Sequence, residues 1–171
     1  MAEAYRKGDY VSYSCSGVCR IDDIRQEAPA GKGEPKTFYI LKPVADPGST
    51  IFVPTSSPVL LAKMQRLPNK EEADAMILST KEDETAWIED RKLRAAAFQT
   101  ILKNCSLKEL LGLVACIYQK RADLAAKGKK LAASDESTLR RAENLIENEL
   151  SFVLQLEGGQ VGTYIREKPG I

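Results

Sequence analysis

The chain of 171 residues contains no histidine. That removes the commonest metal ligand and the side chain that titrates nearest neutral pH, and with it the usual general base of many enzyme classes. The four cysteines, at 15, 19, 105 and 116, include no C-x-x-C pair, whereas a structural zinc site needs converging ligands at set spacings. Neither a metal nor any other cofactor is expected. In a reducing compartment the thiols stay free, and Cys105 and Cys116 read as small buried hydrophobes. Phosphate-binding loops are missing too: GKGEP lacks the strand-loop-helix context and lysine-serine ending, and no G-x-G-x-x-G occurs. The acidic run KEDE at 81–84 reads as helix-start caps rather than as paired catalytic carboxylates. With no residue on which to hang an active site, the chain reads as something other than an enzyme.

An excess of charge of one sign is also absent. Twenty-five Lys and Arg against 24 Asp and Glu leave +1, so attraction to a polyanion must come from a local patch. No apolar run approaches the roughly 18 residues that span a membrane, and MAEAYRKGDY lacks the charged-then-apolar pattern of a secretory signal. The expectation is a cytoplasmic protein without membrane contact, and a monomer.

Two textures divide what is there. From Asp9 to Pro54, β-branched and aromatic residues are cut by Gly and Pro clusters, which predicts strands at 9–14, 17–26, 36–44 and 50–54, with a fifth around 63–65. SCSG, APAGKGEP and ADPGS supply the turns, the second as a flexible hairpin tip. Short antiparallel strands bury their inner faces by curling into a small SH3-like or Tudor-like barrel. Its expected core is Val11, Tyr13, Val18, Ile21, Ile24, Tyr39, Leu41, Ile51 and Val53. In VSYSCSGVCRI, Ser14 to Gly17 form the first turn. Cys15 belongs to that turn, and Cys19, at the parity of Ile21, faces the core.

After Pro68, Ala, Leu, Glu, Lys and Arg recur at helical spacing. The fold class is thus α+β in two domains, the β-barrel at 1–66 and an all-α domain at 67–171. Asn69 with Glu72 and Ser106 with Glu109 have capping-box spacing, and Ser134 and Asp135 are N-cap candidates. Leu107, Leu110, Leu111, Val114, Ile117, Tyr118 and Leu124 stripe one helix; Leu139, Ala142, Ile146, Leu150 and Val153 stripe the next, predicting an antiparallel hairpin. Gly158 and Gly159 then stop the helix and leave QVGTYIREKPGI as a loosely held tail.

GDYVSY, GVCRIDDI, TFYILKP and STIFVP, in that order ahead of a helical half, resemble the CarD/CdnL family of bacterial transcription regulators, whose barrel type also occurs in transcription-repair coupling factors. The resemblance implies that the barrel binds the β subunit of RNA polymerase and that the helical domain contacts promoter DNA at the upstream edge of the melted bubble. Such a protein would stabilise the open complex and be nucleoid-associated through polymerase. It also implies a tryptophan wedge in the DNA minor groove, at the place where Trp87, the sole tryptophan, stands in ETAWIEDRKLR. A large flat side chain suits a widened groove or an unstacked step, though a lone tryptophan near a helix start equally suits a core or interdomain anchor.

Arg91, Lys92 and Arg94, joined by Lys129, Lys130, Arg140 and Arg141 from the hairpin, either converge on the DNA backbone or form a solvated helix face. Glu89 and Asp90, beside Trp87, oppose phosphate. In the barrel, Phe52 takes the slot where the family pattern has a basic residue before valine-proline. Polymerase contact would then rest on apolar burial at Phe52, on main-chain pairing along 49–53 including Thr50 and Ile51, and on Arg25 of the adjacent strand; the plain alternative is an edge-strand core residue. Ser14 and Ser16 depart from a proline and histidine common in relatives and shape the turn only. The competing reading of the whole is an adaptor that binds polymerase or another protein without touching DNA.

Overall fold

The computed structural model describes residues 4–28, 31, 33–80 and 86–167. They divide into two compact units, Met1–Leu67 and Pro68–Ile171. Among the described residues no helix is long and apolar enough to cross a membrane.

The first unit holds β1 (Tyr10–Tyr13), a 3-10 turn (Ser14–Ser16), β2 (Val18–Glu27), β3 (Lys36–Pro43), β4 (Ile51–Pro54), the single-turn α1 (Pro58–Leu61) and β5 (Met64–Arg66). All ladders are antiparallel, in the order β4-β3-β2-β1-β5. The expected barrel is therefore corrected to an open sheet: among the described residues β4 and β5 lie at opposite edges with no ladder between them. The chain between the two edge strands turns through α1, capped by Ser57 and begun by Pro58, and uses Leu60 and Leu61 to cover the inner face.

That inner face carries Val11, Cys19, Ile21, Leu41, Val53 and Met64, with Tyr5, Tyr13, Tyr39 and Ile51 packed around them. Each fully buried aliphatic side chain contributes about 1.5–3 kcal/mol. Val18 is buried as well, but its pairing with Ser12 sets it at the opposite parity from Cys19, on the outer face. Ile24 is exposed, contrary to expectation. A bulge between Ile21 and Asp23 lets Ile24 pair with Tyr39 on the inner side, yet near the open end of the sheet, where little covers it. The first turn is as expected, with Ser14 at φ 45° and Gly17 at φ 72°. Cys19 is fully buried, and burial pushes its thiol up to about 11. Of the tip of the second hairpin, Pro29, Ala30 and Lys32 lie outside the described residues.

The second unit comprises α2 (Lys70–Ser79), α3 (Arg91–Asn104), α4 (Leu107–Ala126), α5 (Ala133–Val153) and α6 (Gln160–Glu167). KEDE at 81–84 lies outside the described residues. Asn69 and Glu72 form a reciprocal capping box, at 2.8 and 2.9 Å. Ser106 is the N-cap of α4 but makes no side-chain cap bond, and the Glu109 carboxylate accepts from the Asn104 amide. Helix α5 begins earlier than expected, with Ala132 as N-cap, which puts Ser134 and Asp135 inside its first turn.

The shared core consists of Ala73 and Ile77 of α2, Phe98 and Leu102 of α3, the leucine stripe of α4, and Leu139, Ala142, Ile146 and Leu150 of α5. Tyr118, expected on the stripe, is exposed, and its hydroxyl donates to Glu143. Helix α5 stops at Val153, before the glycines. The expected loose tail is corrected over 160–167: Val161 of α6 is buried, Tyr164 and Ile165 pack on the core, and the Tyr164 hydroxyl donates to Asp74 at 2.6 Å. Spacing of the apolar residues at 161, 164 and 165 makes this short helix amphipathic, and burial of that stripe offsets its weak nucleation.

Candidate functional site

Each unit presents one candidate surface. On the sheet, strand alternation decides it. Phe52 lies opposite Ile40, and Phe38 lies between Arg25 and Pro54, so these side chains share the outer face. Ile40 is buried there, Phe38 is half-buried, and Phe52 is 50% exposed. The two phenyl rings meet edge to face at 6.4 Å. Phe52 is thus an exposed aromatic on an apolar outer patch rather than a residue of the inner core.

The backbone of β4 adds a second feature. Thr55 donates to the carbonyl of Thr37, its opposite number, which makes Val53 and Ile51 the hydrogen-bonded positions toward β3. The N–H and C=O groups of Phe52 accordingly point to the open edge, Thr50 stands just before the strand, and Pro54, at the parity of Phe52, has no N–H to leave unsatisfied. Ile51 packs its side chain on the inner core, so only its main chain is near that edge. Arg25 needs correction: it is on β2, and β3 separates it from β4. Its Nε donates to Asp23 at 2.7 Å, which holds the Asp23 carboxyl below its usual range.

In the helical unit, Trp87 precedes α3 and packs against the core while staying partly exposed. Its ring meets Phe98 edge to face, with centroids 6.0 Å apart. The Arg94 guanidinium carbon lies 4.4 Å from the Trp87 ring centroid and the Lys120 ammonium 5.4 Å. The indole forms part of an open hollow of about 480 Å³, which Lys120, Lys127, Lys129, Leu124 and Leu131 also line.

Arg94 is corrected from a free cation to a buried one. It stands four residues before Phe98 and eight before Leu102, on the inward stripe of α3. Its Nε and Nη2 donate to the two carboxylate oxygens of Asp135, at 3.1 and 2.9 Å. Its Nη1 donates to the carbonyls of Ile88 and Glu89, at 2.9 and 3.2 Å. Four hydrogen bonds thus engage this guanidinium inside the unit. Of the other expected cations, Lys129 lines the hollow; Arg91, Lys92, Lys130, Arg140 and Arg141 are exposed, and none of these five lines it.

Lys120 and Lys127 were not singled out by sequence, although Lys120 follows Ile117 by three and so flanks the α4 stripe. The two acidic residues beside Trp87 are both engaged. Asp90 caps α3 by accepting from the N–H of Leu93 at 2.9 Å, and Glu89 pairs with Lys120 at 3.3 Å.

No curated protein matches this chain. Residues 5–67 match the family model described as the CarD-like/TRCF RID domain, a span that takes in every strand of the sheet and ends before the first helix of the second unit. Over those residues the amino-terminal unit is a CarD-like/TRCF RID domain, an RNA-polymerase-interacting domain, which supports a polymerase-binding, transcription-related role.

Proposed function

We propose that the protein is a transcription regulator that binds the RNA polymerase β subunit through its sheet and stabilises the promoter open complex through its helical unit. The polymerase contact is the open edge of β4 with the outer patch around it. An incoming strand pairs with the outward groups of Phe52 and with the main chain at Thr50, and the Phe52 and Phe38 rings bury against the partner. Arg25 is a rim charge of this patch, shared with Asp23.

The DNA contact is Trp87 at the upstream edge of the bubble. The observation that carries it is a partly exposed indole beside a hollow with three lysines, in which the neighbouring carboxylates already have partners. The indole abuts a widened minor groove or an unstacked step, and Lys127 and Lys129 approach phosphates there while Lys120 neutralises Glu89. Arg91, Lys92, Lys130 and Arg141, exposed on the same unit, supply outlying backbone contacts without sequence preference. The protein acts as a monomer in the cytoplasm, carried to the nucleoid by polymerase, with no catalytic step and no cofactor of its own.

The test is promoter opening by the cognate polymerase, with and without the protein and with Trp87→Ala. A longer-lived open complex that Trp87→Ala shortens is expected; an unchanged lifetime throughout overturns the melting role. A second reading, an adaptor that binds protein through its helical unit, is favoured by Leu93, 65% exposed on the first turn of α3. Affinity for a forked duplex that is flat in salt would favour it, since neutralising several phosphates makes binding fall steeply as salt rises.

A further inference from the structure

We propose that Asp135 is a positioning residue for Trp87: by holding Arg94 in a two-point buried ion pair, it sets the orientation in which the indole is presented. The proposal rests on the reading that Trp87 contacts DNA.

The side chains of Arg94 and Asp135 are 8% and 7% exposed. Neither can lend its charge to a phosphate, so what the pair does, it does inside the unit. A guanidinium is a rigid planar fork, and four hydrogen bonds fix this one: two to Asp135, one to the carbonyl of Ile88 and one to that of Glu89. The two carbonyls belong to the residues immediately after Trp87, so the same plane that lies against the indole also anchors the backbone carrying it. Asp135 reaches this point from α5, 41 residues away in sequence, and ties the Trp87 segment to the core of the unit.

Stability alone does not call for this arrangement. Replacing both members of a buried ion pair by apolar residues of similar size is often neutral or stabilising, whereas removing one member strands a charge. An apolar pair would pack the space but would leave the carbonyls of Ile88 and Glu89 and the indole face without a fixed partner. The ionic pair supplies that direction, which an indole needs if it is to meet an unstacked base step edge-on or face-on without first being ordered.

The experiment uses the full chain, in which Trp87 is the sole tryptophan and reports on itself. The variants are Asp135→Asn, the double replacement Arg94→Met with Asp135→Leu, Trp87→Ala, and Ile146→Val, which loosens the same core without touching the pair. The double replacement keeps the test open should Asp135→Asn fail to fold. In the folded double variant, the slow anisotropy component of the tryptophan is expected to be lost and acrylamide quenching to rise, with Ile146→Val unchanged. Affinity for a forked duplex is expected to fall about tenfold, within what losing an aromatic-base contact costs.

An indole equally immobile and shielded in the double variant overturns the proposal, as does equal loosening by Ile146→Val. A freed indole with undiminished fork affinity, where Trp87→Ala weakens binding, overturns it as well while leaving the DNA reading intact. Undiminished affinity in Trp87→Ala overturns the DNA reading itself and with it the positioning role.

Discussion

Phe52 and Trp87 are both aromatic residues at the edge of their own unit, and they are held in different ways. Phe52 is presented by backbone geometry: a strand at the edge of a ladder turns alternate side chains outward, and the bonding parity turns alternate N–H and C=O groups to the open side. Its ring meets Phe38 edge to face, and Ile40 lies opposite it on the same face. Trp87 precedes its helix and is oriented by side chains drawn from three helices, Arg94 and Phe98 of α3, Lys120 of α4 and Asp135 of α5. A surface made by the ladder tolerates substitution one residue at a time. A surface made by a buried polar hub does not, because each partner leaves another uncompensated when removed.

The largest effect follows from that contrast. Asp135→Ala leaves the Arg94 charge buried and unpaired and should lower the stability of the helical unit by about 3–5 kcal/mol, read by chemical denaturation with tryptophan emission. A loss of less than about 1 kcal/mol would put this pair on a level with exposed ones. Phe52→Ser should weaken binding to the polymerase β subunit by roughly 2 kcal/mol or more, as expected for an aromatic anchor, measured by calorimetry. The same substitution should cost the fold less than about 1 kcal/mol, the range of a cross-strand pair. A melting temperature that falls along with affinity would make Phe52 a structural residue and erase the difference from Trp87.

Tyr164→Phe removes the hydroxyl that bonds Asp74 and should cost about 0.5–1.5 kcal/mol, with amide exchange rising in 160–167. The smallest effect concerns pH. Burial raises the Cys19 thiol from 9.0 to about 11, so the folded state prefers it neutral. Its contribution is complete below the ordinary thiol value and is lost as pH rises from 9.0 towards 11. Cys19→Ala should flatten the stability profile in that window, and an identical profile would mean that the thiol does not titrate in unfolding.

Much of the sheet could be read directly. Strand positions, the Ser14–Gly17 turn and the inward set of Cys19 follow from alternation and from turn residues, which are local properties. Closure could not be read, because whether β4 and β5 meet depends on the path of the chain between them. The exposure of Ile24 was hidden for a related reason, since a bulge is an agreement between two strands. In the helical unit, apolar stripes marked the core, but α6 lay behind two glycines that read as an ending.

Arg94 and Asp135 each occupy a stripe position, four residues before Phe98 and four before Leu139, a spacing that the reading of Arg94 as a DNA-contacting cation and of Asp135 as an N-cap candidate passed over. The amino-acid order alone settled the single tryptophan available to probe or to wedge, the strand and helix textures and the apolar stripes, and left Phe52 open between an exposed contact and an edge-strand core residue, which the ladder resolves. That the two charges meet, that their meeting clamps the backbone after Trp87, and that the exposed Lys127 and Lys129 rather than Arg94 offer their charge in the hollow beside the indole follows from the packed fold alone. The physical reason is range. Periodicity reports which way a side chain points from its own helix, whereas an ion pair needs two directions and a distance that only the packing of α3 against α5 supplies.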